Sequence, residues 1–228
     1  MADAANTRLP VVVLISGRGS NLQAIMDAVD RGSLPVEIRA VISNRPNAGG
    51  LRRAALSGIR TLVIDHACYG SREAFDRALM TTIDTFEPAL VILAGFMRIL
   101  TPGFVRHYHG RMLNIHPSLL PDFPGLNTHA RVLEAGRDQH GASAHFVTEQ
   151  PDRGPLVSNV CVPVLHDHAV ATLAELQLAA YPLHNKPVTG SIPALRVSMH
   201  TNPVLIDGKP LHSPLRYTPE DQPATCPQ

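Results

Sequence analysis

No stretch of this 228-residue sequence is both apolar and long enough to cross a bilayer. The longest run, ALVILAGFMRIL (89–100), falls short of the ~20 residues a spanning helix needs and carries Arg98. The opening MADAANTRLP lacks the basic-then-apolar layout of a secretory signal, so a cytoplasmic protein without membrane attachment is expected. Cysteine is scarce: Cys68, Cys161 and Cys226 are odd in number, far apart and without a C-x-x-C. That argues against a disulfide framework or a thiolate metal site and agrees with a reducing compartment. Basic residues are not massed either. The formal charge is +1 and only Arg52 and Arg53 are adjacent, so no nucleic-acid partner is expected. Lys186 and Lys209 are the two lysines, a bias towards arginine without functional content.

Several catalytic and nucleotide signatures are missing too. There is no G-x-S-x-G elbow, no H-E-x-x-H, no G-x-G-x-x-G, and no lysine after the first glycine turn as in a P-loop. The pairs His107/His109 and His166/His168 have no third ligand at a usual spacing, so no metal is expected.

What is present is an alternation. PVVVLIS, VEIRAVIS and IRTLVID are short apolar runs rich in Val and Ile, as in strands buried on both faces, and each is followed by a segment of helical spacing: NLQAIMDAVDRG, AGGLRRAALSG and SREAFDRALMTTIDTF. Two further strands follow in ALVILAG and GRMLNI, with the short segment MRILTPGFVRHY between them. After a helix-like THARVLEAGRD, GASAHFVTE alternates small or apolar with polar residues as an antiparallel strand does, and PLVSNVCVPV completes the series. The expected fold is α/β, a Rossmann-like, doubly wound, mostly parallel sheet with an antiparallel C-terminal part. A single domain over 8–200 is expected, with a C-terminal strand and Pro-rich tail over 201–228; from about Asp167 the periodicity weakens.

Three strand exits carry chemistry. In SGRGSN (16–21) two glycines permit a tight turn, Ser20 or Asn21 can cap the following helix, and exposed N–H groups favour a phosphate; a plain joining turn is the alternative. In NIHPSLLPDFPG, Asn114 and His116 share one face by the period of two. An amide and a protonated imidazole together can stabilise an oxyanion. An Asn capping the strand with a surface His is the alternative, but Pro117, Pro121, Pro124 and Gly125 stiffen the exit as a preorganised site requires. In HFVTEQPDRGP, Asp152 precedes a glycine turn. A carboxylate there could hold one nitrogen of His116 and raise its pKa, or could simply form the turn.

Together VVVLISGRGSNLQAI, SREAFDRAL, VILAGFMRIL, NIHPSLLPDFPGLNTH and GASAHFVTEQPDRGP resemble the folate-dependent formyltransferases that act on phosphoribosylglycinamide in purine biosynthesis, from about residue 10 to 165. The resemblance implies formyl transfer from 10-formyltetrahydrofolate as cosubstrate to the glycinamide amine, with small-molecule substrates and a monomer or homodimer. It implies catalysis by Asn114, His116 and Asp152, and a substrate phosphate on Gly19, Ser20 and Asn21. It assigns folate binding to Arg72, to Met97, Arg98, Ile99 and Leu100, and to Thr148, Glu149, Gln150 and Pro151.

The sequence departs from the family at three places. Arg153 replaces the first glycine of a usual D-G-G-P, which would strain the turn if that position had positive φ. Asn127 stands where relatives often have His. In LQLAAYP, Gln177 and Leu178 replace the family's Glu-His, leaving Glu175 and Gln177 as weak acceptor-recognition residues. The competing readings are a formyltetrahydrofolate deformylase or a formyltransferase with another acceptor, and a non-catalytic phosphate or folate binder. A deformylase usually has an added N-terminal domain, and a formyltransferase acting on methionyl-tRNA would need a basic RNA-binding domain. Keeping Asn114, His116 and Asp152 together argues against a mere binder.

Overall fold

In a computed structural model of the chain, residues 8–164 are described, together with the backbone of 205–206, 209–210 and 215–217. The strands are β1 (Leu9–Ile15), β2 (Val36–Ser43), β3 (Thr61–Val63), β4 (Leu90–Leu93), β5 (Met112–His116), β6 (Gln139–Phe146) and β7 (Leu156–Pro163), then the short β8 (Leu205–Ile206), β9 (Lys209–Pro210) and β10 (Leu215–Tyr217). The helices are α1 (Ser20–Asp30), α2 (Gly49–Leu56), α3 (Arg72–Asp84), α4 (Pro102–His107) and α5 (Thr128–Glu134).

Eight strands form one sheet in the order β10-β7-β6-β5-β4-β1-β2-β3, while β8 and β9 pair separately. β1 to β5 run parallel, β6 is antiparallel to both its neighbours, and β10 is parallel to β7. This is the mixed, mostly parallel sheet expected from the repeated strand–helix alternation.

Side-chain alternation along β1 explains the layers. Val11, Val13 and Ile15 face a core with Leu22, Ile25 and Met26 of α1 and Ala54 of α2. Val12 and Leu14 face a second core with Phe75, Leu79 and Ile83 of α3 and Phe104, Val105 and Tyr108 around α4. Helices therefore cover both faces, which is why these strands are apolar at consecutive positions rather than alternate ones.

Chain order reverses between β1, whose next strand is β2 on one side, and β4, whose next strand is β5 on the other. Such a switch point opens a crevice at the carboxyl ends of the strands. The turn after β1, the segment after β4 and the end of β5 all lie at that edge.

Candidate active site

Gly19 closes the turn after β1 with φ 75 and occupies the capping position of α1. A Cβ on Gly19 would stand 2.5 Å from Gly50 Cα, so both the backbone conformation and the close approach of the α1 and α2 entries require glycine. The expected cap from Ser20 or Asn21 is not made: Ser20 is already helical and no side chain caps the helix. The first-turn N–H groups are thus left without a side-chain acceptor, as an anion at this end of the helix requires. Ser16, just before the turn, donates from Oγ to Asn44 Oδ1 (2.6 Å) and accepts from Met97 N (2.7 Å), tying the β1 exit to the segment after β4.

That segment holds Met97, Arg98, Ile99 and Leu100. Met97 and Ile99 are 58% and 65% exposed, unusual for large apolar side chains beside a buried strand. The Arg98 guanidinium lies 5.6 Å from the Phe75 ring centroid, and Thr101 N donates to buried Asp76 Oδ2 (2.7 Å), so the segment is anchored on α3, which Arg72 begins. From α4, Arg106 pairs with Glu149, and Thr148 Oγ1 donates to Gln150 O (3.0 Å), bending the 148–152 turn.

At the end of β5 Asn114, His116 and Asp152, distant in sequence, are brought together. Antiparallel pairing sets Asn114 opposite His145 and His116 opposite Ser143. Asn114 Nδ2 is 3.1 Å from His145 Nε2, and His145 Nδ1 is 2.9 Å from Phe146 O. The carbonyl fixes the His145 tautomer with its proton on Nδ1, leaving Nε2 to accept from the Asn114 amide. Asp152 Oδ1 then lies 3.4 Å from His116 Nδ1 and 3.6 Å from His145 Nε2, while Oδ2 accepts from Gly125 N (2.9 Å). On its other side, His116 Nε2 is 3.2 Å from Phe123 O.

Asp152 has φ 53, in the left-handed region that Asp tolerates, and Arg153 has no such requirement. The strain anticipated for arginine in place of glycine is therefore absent. The glycine that matters is Gly154, where a Cβ would collide with the Phe146 carbonyl. Asn127, the capping position of α5, is also left-handed (φ 55), a conformation asparagine accepts readily.

Protonation differs from the expectation in one respect. Burial lowers the His116 pKa below the ordinary histidine value and outweighs Asp152 and the Phe123 carbonyl, which raise it; the charges of His145 and Arg131 lower it further. His116 is thus neutral near pH 7, not a standing imidazolium. Burial raises the Asp152 carboxyl, but in the acid range where it titrates a hydrogen bond from protonated His145, the Gly125 N–H and the charges of protonated His116 and His145 outweigh burial and hold the group below its usual value.

A second histidine pair lies alongside. His129 Nδ1 is 2.8 Å from His140 Nε2, and His140 Nδ1 has no hydrogen-bond partner among the described residues. Burial and the charges of His129 and His116 push His140 down to about 4, and burial lowers His129. His107 bonds Asp84 (2.8 Å), while His166 and His168 lie outside the described residues. Among the described residues no group of three or more His, Cys, Asp or Glu is placed to hold a metal. Glu175 and Gln177 also lie outside them.

Sequence reasoning missed His145. The signal is present in the alternation of GASAHFVTE, which sets Ser143 and His145 on one face, but alternation does not say what that face meets. Both are buried.

The formyl transferase family matches residues 9–180. The chain is 48% identical to the phosphoribosylglycinamide formyltransferase of Escherichia coli over 205 residues, 88% of this chain and 95% of the relative. It is 47% identical over 165 residues to the human trifunctional purine biosynthetic protein adenosine-3, covering 72% of this chain and 16% of that longer protein. Among solved structures, the phosphoribosylglycinamide formyltransferase of Coxiella burnetii in complex with CHES is similar with a TM-score of 0.87 and 48% identity, covering 92% of this chain and 99% of that one. The glycinamide ribonucleotide transformylase 1 of Symbiobacterium toebii gives a TM-score of 0.82 at 39% identity over 88% of this chain and 94% of that one.

Proposed function

The chain belongs to the formyl transferase family, and from that premise we propose that it moves a formyl group from 10-formyltetrahydrofolate to the amine of phosphoribosylglycinamide, a step of purine biosynthesis. The observation that carries this reading is the convergence of Asn114, His116 and Asp152 at the end of β5, joined through His145.

The acceptor's phosphate sits on the turn of Gly19, Ser20 and Asn21, whose N–H groups and helix dipole suit an anion. Its glycinamide end is assigned to Glu175 and Gln177. The folate lies over Met97 to Leu100, whose exposed Met97 and Ile99 can cover a flat heterocycle, and contacts Arg72 and the turn Thr148 to Pro151. No resident metal is required.

Attack of the amine on the formyl carbon gives a tetrahedral intermediate with a negative oxygen. The second amide hydrogen of Asn114 donates to that oxygen, already oriented because His145 holds the first. The attacking nitrogen must lose a proton and the departing N10 must gain one. Asp152 and His116 carry it as a pair: the proton leaves the amine toward Asp152, whose Oδ1 stands 3.4 Å from His116 Nδ1. The Asp152 carboxylate and the Phe123 carbonyl stabilise the imidazolium, and the proton returns along the same pair to N10.

Single-turnover absorbance of 10-formyltetrahydrofolate, with and without phosphoribosylglycinamide, tests the assignment. Deformylation only with the acceptor present, and lost in His116→Ala, is expected. Deformylation without the acceptor would make the protein a hydrolase, and saturable binding with no loss of formyl would make it a binder.

A further inference from the structure

Residues 122–125 form a bridge between the two titrating members of the site. Ser118 Oγ is 2.7 Å from Asp122 O and 3.1 Å from Phe123 O, which also faces His116 Nε2. Pro124 O accepts from Arg131 Nη1 (2.6 Å), and Gly125 N donates to Asp152. Four consecutive residues thus send one carbonyl to His116 and one N–H to Asp152. Yet Phe123 has φ 53, a conformation phenylalanine seldom adopts, so its placement must be imposed from outside.

Two guanidinium groups stand against its ring. Arg131 of α5 stands 5.5 Å from the Phe123 ring centroid and Arg137, beyond that helix, 5.8 Å. Each is anchored a second time, Arg131 on Pro124 O and Arg137 on Asp122 Oδ2 (3.3 Å). We propose that Arg131 and Arg137 are positioning residues for formyl transfer: by clamping Phe123 they hold its carbonyl against His116 and the Gly125 N–H against Asp152. The inference rests on the catalytic reading of His116 and Asp152 given above.

Mere packing would not make Arg131 felt at the imidazole, yet its charge is among those opposing protonation of His116. The other groups facing that ring are Asp152, the Phe123 carbonyl and His145, with His140 beyond them. Removing Arg131 both loosens the carbonyl and removes a nearby positive charge.

The test compares Arg131→Gln, Arg131→Lys, Arg137→Gln and Phe123→Leu with the unaltered enzyme by steady-state kinetics, thermal melting and NMR titration of His116. Arg131→Gln is expected to lower kcat on the order of tenfold with KM for either substrate within about twofold, as misplaced catalytic groups do, and to change the His116 midpoint. Arg131→Lys, which keeps the charge, should leave that midpoint close to the unaltered one. Phe123→Leu retains the carbonyl but removes the ring the cations hold; it should lower kcat similarly, and it decides the matter if an arginine variant fails to fold. Unchanged kcat and an unchanged titration in Arg131→Gln and Phe123→Leu would overturn the clamp, as would a loss of kcat that only follows a fall in melting temperature. His116→Ala separates the premise from the clamp: full activity there would remove the catalytic reading, while the titration would still judge the clamp.

Discussion

The Asn114 amide has two hydrogens, and His145 Nε2 takes one. Replacing Asn114 by Ala removes the proposed oxyanion donor without opening a large void, so kcat should fall by about 10²- to 10³-fold while the melting curve stays nearly in place. In the proposed function His116 accepts a proton only while neutral, and burial holds its pKa below the ordinary 6.5. The acid limb of a kcat/KM profile should therefore have its midpoint under pH 6.5, and a midpoint above that value would mean that the resting imidazole is charged. At the 152–155 turn, Arg153→Gly should leave stability within about 0.5 kcal/mol, because the left-handed residue is Asp152. The N-x-H spacing was enough to place Asn114 and His116 on one face. That His116 stays neutral was not legible, since it depends on how much water the proline-rich exit excludes, and no spacing reports that.

Among elements, β6 illustrates how pattern and position diverge. Its alternation identified it as antiparallel, and it pairs that way with β5 and β7. An alternating strand in such a sheet would ordinarily turn its polar side to water. Here residues 140–146 are all buried, and the polar side faces the site instead. Ser143 Oγ donates to Ser118 O (2.7 Å) and accepts from Leu120 N (2.9 Å), pinning the exit of β5. Ser143→Ala leaves two buried backbone groups unpaired and should cost about 1–3 kcal/mol in denaturant titration. The elements rich in Val and Ile were legible because burial on both faces writes itself into composition. α4 was not singled out as a helix within MRILTPGFVRHY, because six residues give too few turns for a period; what starts it is Thr101, whose Oγ1 accepts from Phe104 N, followed by Pro102.

For the whole molecule, the neutral histidines couple folding to pH. His116, His129 and His140 all have folded pKa values below the ordinary one, so the unfolded chain binds more protons and stability falls as pH drops from about 6.5. For His140, between 6.5 and about 4, the loss amounts to on the order of 3 kcal/mol. Denaturant midpoints measured from pH 7.5 to 4.5 should decline, and His140→Asn should flatten the decline. The sheet has a further consequence. The Gly19 turn follows β1, the Asn114 group ends β5, and in the sheet β4 alone lies between the two strands. Neighbouring strands stand about 4.8 Å apart, so the proposed function would have the two ends of the acceptor held roughly two strand spacings, about 10 Å, from each other. On that reading the hydrogen-bonded pitch of the backbone would serve as a ruler, refusing by length amines tethered too near to their phosphate, or too far from it, before any side chain inspects them.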